Sequence, residues 1–530
     1  MIHIPKNSQK IIHYIYTLLL FLICIGSLFV KSSVFIATKW YFVLGACIII
    51  SLIYLIDISL TRGKGIMSFP LKWIPGIIIF SCTLQAAFGI YLLITKDVNI
   101  PIKGSFDNQA GYASCLSAVF PLYFYHYNRC NLYNKLLTYA IVIITISAVL
   151  LSGSRAGIIS VIIITIILLY THTRKNKRII ILIFSCTFFI LLCGALYLFK
   201  KESANGRLLI WKCSLEMIKN KPIFGWGEQG FDAHYMDYQS YYLKKELDEN
   251  YAQLADNIKS PFNEYLSVLI SYGIVGFIFL IIFCSFIIYC YSRNKNQLSF
   301  YFSLVLLSIA IFSLFSYPFI YPMTWILVYI SIAIITAPIL KNQSIFLTHL
   351  VLISLLIAGV IKNKEKHINN ISDEKEWQYI SKLPLQGNTE PALIRYEKLK
   401  STLSDNPFFL YNYSVELYEA KHYKKGLEIA LLCRNLWADY DLELLLGELY
   451  SNLYLYKNAE LHYKKASYMC PNRFLPLYYL VNTYDKLNEI QKADSLAIKI
   501  LNKPVKIQSN AIDVIKNQMK IRIENKKETY

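Results

Sequence analysis

The chain has 530 residues, of which 55% are hydrophobic and 17% are charged, and its mean hydropathy is +0.40. A typical soluble domain contains about 25% charged residues. A chain with so few polar side chains cannot cover a globular surface with them. The composition therefore excludes a cytosolic enzyme and favours a protein that lies largely in a membrane.

The formal net charge of +20 is concentrated in the N-terminal part of the chain. Residues from 363 onward carry 25 Lys and Arg against 21 Asp and Glu, whereas residues 1–362 carry 29 against 13. The excess lies between hydrophobic runs, where basic residues orient membrane helices. This distribution argues against nucleic acid as a partner, because such a protein concentrates its basic residues on a folded surface.

The twelve cysteines form no CxxC pair and show no Cys/His spacing suited to zinc. Most of them lie inside apolar runs, where cysteine behaves as a small hydrophobic residue. The sequence therefore predicts no metal site and no cofactor. The first hydrophobic run follows Lys6 and Lys10 and lacks a small-residue cleavage site, so we expect an uncleaved membrane span.

Eleven hydrophobic runs are long enough to cross the roughly 30 Å of hydrocarbon in a bilayer. They lie near residues 11–30, 34–56, 73–94, 112–126, 136–152, 155–170, 178–199, 263–291, 297–316, 321–340 and 345–362. This pattern predicts an all-α fold in which residues 1–362 form a polytopic membrane helix bundle of about 11 spans.

Basic residues are distributed unevenly between these runs. One set of connections carries fourteen Lys and Arg residues, and the alternate set carries five. By the positive-inside rule, this bias predicts a multi-pass protein with a cytoplasmic N-terminus. The long loop at about 200–262 and everything after residue 362 are then expected on the opposite side of the membrane.

The segment after residue 362 is polar and repetitive. Aromatic and small residues recur in register, namely Tyr418, Tyr450 and Tyr484, and Gly426, Ala459 and Ala493. A period of about 34 residues resembles that of tetratricopeptide helix pairs. We expect a linker at 363–390 and α-helical repeats at 391–530, with a generic helical domain as the alternative. Either structure would offer a surface to a protein partner.

Arg155 is a candidate anion-binding residue beside the membrane. It follows a Ser-Gly-Ser turn between two spans, and an arginine next to the membrane core is costly enough to suggest a function. A guanidinium can bind phosphate through two parallel hydrogen bonds, and the small turn residues, including Ser154, would let backbone N–H groups approach the same anion. Alternatively, Arg155 reaches the lipid headgroups or caps a helix.

The long loop contains a second arginine and several aromatic residues. Arg207 begins an amphipathic helix that ends near Pro222, and this pattern alone indicates an interfacial helix with a surface arginine. Trp211 and Trp226 are typical of interfacial anchors. Other aromatic residues of the loop either stack on sugar rings or simply reflect the 42 tyrosines of the chain; they are Phe231, Tyr235, Tyr238, Tyr241, Tyr242 and Tyr251.

Polar residues also precede two of the predicted spans. Asn108 and Asp107 stand before the fourth span, and Asn263 and Glu264 stand before the eighth. Each pair could bind substrate or could serve as a helix cap with a favourable dipole interaction.

Taken in order, these segments resemble the O-antigen ligase and O-antigen polymerase-related family of polytopic glycosyltransferases. The matching residues are Gly104, Phe106 and Asn108; Ser152 to Arg155; Arg207, Trp211, Pro222, Gly225, Gly227 and Phe231; and Asn263, Tyr265, Leu266, Gly273 and Gly276. The resemblance covers roughly residues 100–280, and tetratricopeptide-like repeats also occur in such proteins.

The resemblance implies a GT-C-like fold and transfer of a glycan from an undecaprenyl-diphosphate carrier. The acceptor would be a hydroxyl of lipid A-core, of a glycan or of a protein at the periplasmic face of the bacterial inner membrane, among membrane lipids. The C-terminal domain would then be periplasmic. Arg155 and Arg207 would hold the diphosphate without a metal. The substrate-binding residues would be Asn108, Ser154, Trp211, Trp226 and Asn263.

The sequence departs from the family at one position that matters for catalysis. The family often carries a histidine just before the asparagine of its last motif, whereas this chain has Lys259, Ser260, Pro261 and Phe262 there. The identity of a catalytic base is therefore open. The candidates are His234, Glu228 and Glu264.

Three other functions compete with an O-antigen ligase-like enzyme of lipopolysaccharide biosynthesis. They are a Wzy-type repeat-unit polymerase, a protein O-oligosaccharyltransferase, and a non-enzymatic membrane scaffold or transporter. A transporter should carry charged residues at the membrane midplane. The acidic residues of this chain lie almost entirely in its loops, which favours the enzyme.

Overall fold

The computed structural model describes residues 6–29, 42–43, 45, 48–49, 73–95, 102–129, 131–199, 201–245, 249–293, 295–336, 364–383 and 389–527. Across these ranges the chain forms helices and turns and contains no strand. The all-α class is therefore confirmed. The predicted span at 345–362 lies outside the described residues, and the one at 34–56 lies almost wholly outside them, so the number of eleven spans stays a prediction.

The chain divides into two compact units. The first, which we call the membrane unit, comprises Met1–Phe199, Phe262–Tyr265 and Ile278–Val360. The second, which we call the C-terminal unit, comprises Lys200–Pro261, Leu266–Phe277 and Ile361–Tyr530. The long loop therefore belongs to the same unit as the C-terminal helices.

Apolar helices make up the described part of the membrane unit. They are Lys6–Phe29, Ile74–Thr95, Gln109–Tyr127, Leu132–Leu151, Arg155–His172, Arg178–Phe199, Gln297–Ser313 and Pro322–Thr336, together with parts of Glu264–Arg293. Among the described residues, three helices are long and apolar enough to cross a membrane: Ile74–Thr95, Arg155–His172 and Glu264–Arg293. These helices agree with a membrane protein.

Helix Gln109–Tyr127 is the centre of the membrane unit. Of its 19 residues, 14 are buried, because it packs against several neighbouring helices, including Arg155–His172 and Gln297–Ser313. Small residues permit these close approaches. The Ser308 hydroxyl donates a 2.8 Å hydrogen bond to the Ser117 carbonyl, and the Ser308 and Ser160 hydroxyl oxygens are 2.7 Å apart.

The C-terminal unit consists of three loop helices and a series of helices near the end of the chain. The loop helices are Lys201–Asn220, Gly230–Lys245 and Glu249–Leu254. The others are Lys364–Ile380, Thr389–Leu403, Pro407–Glu419, Tyr423–Leu436, Tyr440–Asn452, Tyr456–Met469, Leu475–Lys486, Ile490–Asn502 and Asn510–Lys527.

The predicted linker at 363–390 contains a helix. Lys364–Ile380 packs against Thr389–Leu403 and buries Trp377 and Ile380. The helix is mostly polar, so hydrophobic periodicity does not reveal it in the sequence. Its two buried apolar residues are nevertheless enough to pack it against the next helix. The helical part of this region thus begins before residue 391.

Three consecutive helix pairs share one turn. Lys421, Tyr454 and Asn488 each follow the first helix of a pair by two residues and have φ values of 63°, 62° and 57°. The second helix of each pair buries the small residue Gly426, Ala459 or Ala493. The small residues of the sequence pattern therefore occupy equivalent places. The aromatic alignment is one residue out at Tyr418, because Leu417 takes the place that Tyr450 and Tyr484 have in the other two pairs. The tetratricopeptide assignment stays a prediction.

Candidate active site

Three helices of the chain begin with a polar cap at positions that the sequence motifs mark. The Asn108 side chain accepts a hydrogen bond from the Gly111 N–H at 2.8 Å, and the Ser154 hydroxyl accepts one from the Gly157 N–H at 3.4 Å. Asn263 Oδ1 accepts one from the Tyr265 N–H at 2.9 Å. The start of a helix carries a partial positive charge and unpaired N–H groups, which favour an anion.

Two of these helix starts meet the loop at 314–321. Asn108 Nδ2 donates to the Tyr317 hydroxyl at 3.0 Å, and the Tyr321 hydroxyl donates to Asp107 Oδ1 at 2.9 Å. The Phe319 N–H donates to Glu264 Oε1 at 3.1 Å. The loop therefore holds the beginnings of Gln109–Tyr127 and Glu264–Arg293 at the same end of the membrane unit.

The third helix start lies at this end as well. Ala156 packs with Ala113 and Phe312, and the partly buried Phe315 lies against this cluster. Arg155, the neighbour of Ala156, is half-buried. Asn108, Ser154–Arg155 and Asn263–Glu264 are thus brought into one region of the membrane unit, which we call the capped end.

Glu264 is oriented within the capped end. It is half-buried, and one of its carboxylate oxygens is fixed by the Phe319 N–H. Phe262, two residues earlier, has a φ of 51°, and its ring centroid lies 5.4 Å from that of Tyr317. A bulky residue rarely adopts this left-handed backbone conformation, and such strain recurs at functional sites. Glu264 is therefore the candidate base that the membrane unit itself supplies.

The other predicted site residues lie in the C-terminal unit. Arg207 and Trp211 are one turn apart on helix Lys201–Asn220, and both are half-buried. The Trp211 indole Nε1 donates a 3.0 Å hydrogen bond to the Pro261 carbonyl, which ties the helix to the end of the loop. The joint binding of one diphosphate by Arg155 and Arg207, which belong to different units, stays a prediction.

Trp226 and His234 are brought together. Their ring centroids are 4.4 Å apart, and the Trp226 indole Nε1 donates to the Met217 carbonyl at 2.9 Å. Burial lowers the pKa of His234 below its usual value, an effect that the nearby Asp237 partly opposes. Burial thus favours the neutral imidazole over the imidazolium. Glu228 is exposed on the connecting turn.

The motif glycines have a structural explanation. Gly225 has a φ of 71°, and a Cβ there would lie 2.5 Å from the Ile270 carbonyl oxygen. Gly273 has a φ of 59°, and a Cβ there would lie 2.2 Å from the Ile223 carbonyl oxygen. Only glycine tolerates both the backbone conformation and the close approach. These motif positions therefore shape the loop.

The loop is anchored to the C-terminal helices through its backbone. Gln239 Nε2 donates to the Met469 carbonyl at 2.7 Å, and Asn472 Nδ2 donates to the Ala255 carbonyl at 2.8 Å. The Ala438 N–H donates to the Asp232 carbonyl at 2.8 Å. In two of these bonds the acceptor is a carbonyl of the loop backbone, so they fix the path of the loop.

Sequence reasoning did not single out Tyr317, Tyr321 or the C-terminal residues that hold the loop. The tyrosines stand in a short connection that the span pattern places on the same side as Arg155, and this is the signal that could have identified them. Gln239 and Asn472 carry no comparable signal, since polar residues in a polar segment are common.

Comparison with known proteins agrees with this geometry. Residues 140–281 match the model of the O-antigen ligase family, as the motifs predicted. A 97-residue stretch is 31% identical to an uncharacterized protein of Haemophilus influenzae and covers 18% of this chain. The matched part spans 23% of the length of that relative. The described helices thus include apolar ones that are long enough to cross a membrane, and residues 140–281 are similar to the O-antigen ligase family.

Proposed function

We propose that this protein transfers a glycan from an undecaprenyl-diphosphate carrier to an acceptor hydroxyl at the periplasmic face of the bacterial inner membrane. The observation that carries the proposal is the capped end, where Asn108, Ser154–Arg155 and Glu264 meet around one loop. Positive helix starts and an arginine can stabilise a departing diphosphate, and an oriented carboxylate can accept the proton of the acceptor hydroxyl.

The anionic part of the substrate would be bound by the capped end and by the loop helix. Arg155 and Arg207 would hold the diphosphate, and the N–H groups at the helix starts would add partial positive charge. As the bond between the anomeric carbon and the phosphate oxygen breaks, its electron pair goes to the departing undecaprenyl diphosphate. Preorganised cationic groups stabilise the charge that develops there.

The acceptor hydroxyl needs a base at the opposite side of the anomeric carbon. Glu264 would accept its proton as the new glycosidic bond forms, since Phe319 already orients the carboxylate. This role would compensate for the missing motif histidine. His234 and Glu228 are the alternative bases supplied by the C-terminal unit.

The predicted topology is compatible with this chemistry. From the alternation of spans, we expect four segments to lie on the non-cytoplasmic side of the membrane: residues near 104–111, 155, 200–262 and 317–320. Of these four segments, three contribute to the capped end, and the fourth is the loop that carries Arg207. The acceptor would be lipid A-core, a glycan or a protein, and the C-terminal helices would offer a surface to a protein partner.

Transfer from a purified lipid-linked oligosaccharide, with chelator present, tests the proposal. Arg155→Ala and Arg207→Ala should each abolish transfer at unchanged membrane abundance. Arg155→Lys should keep part of the activity, because an ammonium retains the charge but loses the two-pronged geometry. The double alanine variant should be little worse than either single one. Full activity of both alanine variants would refute the proposed function.

A further inference from the structure

Helix Glu264–Arg293 is broken at Gly273, where φ is 59° and ψ is −159°. The chain at Pro222–Gly227 lies beside the break and forms backbone hydrogen bonds on both sides of it. The Ile274 and Val275 N–H groups donate to the Pro222 and Ile223 carbonyls at 2.8 and 3.2 Å. In return, the carbonyls of residues 270 and 271 accept from the N–H groups of residues 226 and 227 at 2.7 and 2.9 Å.

This pairing lies inside a helix that is apolar enough to span a membrane. Gly273 is nine residues from the first residue of the helix, which places the break about 13 Å along its axis. Backbone groups without partners cost several kcal/mol each in hydrocarbon, so a broken span must find partners within the protein. Segment Pro222–Gly227 supplies partners for four backbone groups at the break: the N–H groups of residues 274 and 275 and the carbonyls of residues 270 and 271.

The side chains of the paired segment are apolar and exposed. Phe224 is 76% exposed and Ile223 is 55% exposed, and residues 222–227 include no charged residue. On the spanning helix, Tyr272 and Ile274 at the break are exposed as well. In water these side chains would be an apolar patch without a partner, whereas hydrocarbon chains would cover them favourably.

We propose that Pro222–Gly227 is a re-entrant segment that enters the bilayer along the broken span, with Ile223 and Phe224 in contact with lipid acyl chains. The partner is the hydrocarbon of the membrane itself. The segment leads directly into Glu228 and Gly230–Lys245, so the same insertion fixes one end of the periplasmic loop at the lipid boundary. This inference does not depend on the transfer chemistry.

Photo-crosslinking in phosphatidylcholine nanodiscs tests the inference with the full-length protein. The photoreactive residue p-benzoylphenylalanine replaces Phe224 in one sample and Tyr454 in another, and the probe is the phospholipid alone. Tyr454 is a matched control, since it is 79% exposed but lies in the turn between the C-terminal helices Tyr440–Asn452 and Tyr456–Met469. Phe279, 67% exposed on the spanning helix, is the reference for a lipid-facing site.

Mass spectrometry of the intact protein then counts phospholipid adducts. We expect the adduct yield at Phe224 to approach that at Phe279 and to exceed that at Tyr454 at least tenfold. Similar yields at Phe224 and Tyr454 would overturn the inference, whatever the yield at Phe279. If replacement of Phe224 prevents folding, the same comparison is made at Ile223.

Discussion

Asp237 and Arg434 lie 197 residues apart in the chain and form an ion pair in which Oδ1 and Nη2 are 2.5 Å apart. Arg434 also contacts Glu443, whose side chain is fully buried, at 2.6 Å, and Lys465 contacts both carboxylates. The network joins the loop helix Gly230–Lys245 to the C-terminal helices. The C-terminal helices therefore help to position the loop that carries His234 and Arg207.

Arg434→Ala should loosen the loop. Removing one partner of a buried ion pair costs about 3 kcal/mol, because the buried Glu443 carboxylate then keeps only Lys465 and His462 as partners. Amide hydrogen exchange in Gly230–Lys245 of the full-length protein should accelerate by about two orders of magnitude. Arg473→Ala is the matched control, since its ion pair with Asp256 is half-exposed and contributes about 1 kcal/mol at most. Equal acceleration in both variants would contradict the positioning role.

The same network predicts sensitivity to acid. Burial alone would raise the pKa of Glu443, but the hydrogen bond from His462 and the charges of Lys465 and Arg434 outweigh it and lower the pKa to about 2. A carboxylate with a depressed pKa stabilises the folded state above its ordinary pKa of 4.5, and this contribution is lost as the pH falls toward 2. Thermal midpoints of the wild type should therefore decrease between pH 5 and pH 3 (roughly the window set by these values). Glu443→Gln should show a lower midpoint at pH 7 and a weaker decrease, and an unchanged slope would refute the assignment.

Gly273→Ala should prevent normal assembly of the loop with the broken span. The new methyl group would lie 2.2 Å from the Ile223 carbonyl oxygen, and φ of 59° is unfavourable for alanine. Membrane abundance and the monodisperse fraction after detergent extraction should both decrease strongly. Gly206→Ala is the control within the same unit, because no atom lies within 4 Å of its added Cβ and alanine favours a helix. Normal behaviour of Gly273→Ala would show that the pairing can be rebuilt without the glycine.

Glu264→Gln should separate orientation from proton transfer. The glutamine oxygen can still accept the hydrogen bond from Phe319, whereas the amide cannot take a proton from the acceptor. The kcat of glycan transfer should fall by about 10²–10⁴ with little change in KM. Glu216→Gln, an exposed residue of helix Lys201–Asn220, should retain full activity. Retention of kcat in Glu264→Gln would direct attention to His234 and Glu228.

The predicted topology can be tested at two exposed positions, Asn250 in the loop and Gln491 in the C-terminal helices. Asn250→Cys and Gln491→Cys should react with a membrane-impermeant maleimide in cells whose outer membrane alone is permeable. The unsubstituted protein, which contains only its own cysteines, measures the background labelling. Reaction only after disruption of the inner membrane would place the loop in the cytoplasm and invalidate the periplasmic site.

The sequence predicted the helix starts at Arg155 and Glu264 to within one residue and the start at Gln109 to within three, because their signals are local. Asn108, Ser154 and Asn263 are good cap residues directly before apolar runs, and the three corresponding helices begin at the next residue. Arg155 could be selected for a similar reason, since an arginine beside an apolar run is costly wherever the helices pack.

Contacts between distant segments could not be predicted in this way. Tyr317 pairs with Asn108 across 209 residues, and neither side chain has a pattern that identifies the other. Arg434 resembles any surface arginine of a polar helix until Asp237 and Glu443 are placed beside it. In the sequence, Gly273 lies within an apolar run and no neighbouring residue indicates that the helix breaks there. The segment that hydrogen-bonds to the broken helix lies about fifty residues earlier.

The separation between Asp237 and Arg434 also sets an order of events during biosynthesis. Ribosomes add about 5–20 residues per second, so Arg434 is made roughly 10–40 s after Asp237. During that interval the nascent loop lacks the partners that fix its path. The loop can reach its final arrangement only after the C-terminal helices have been synthesised and have folded, so chains terminated before Arg434 would carry the motif residues without the loop's anchor.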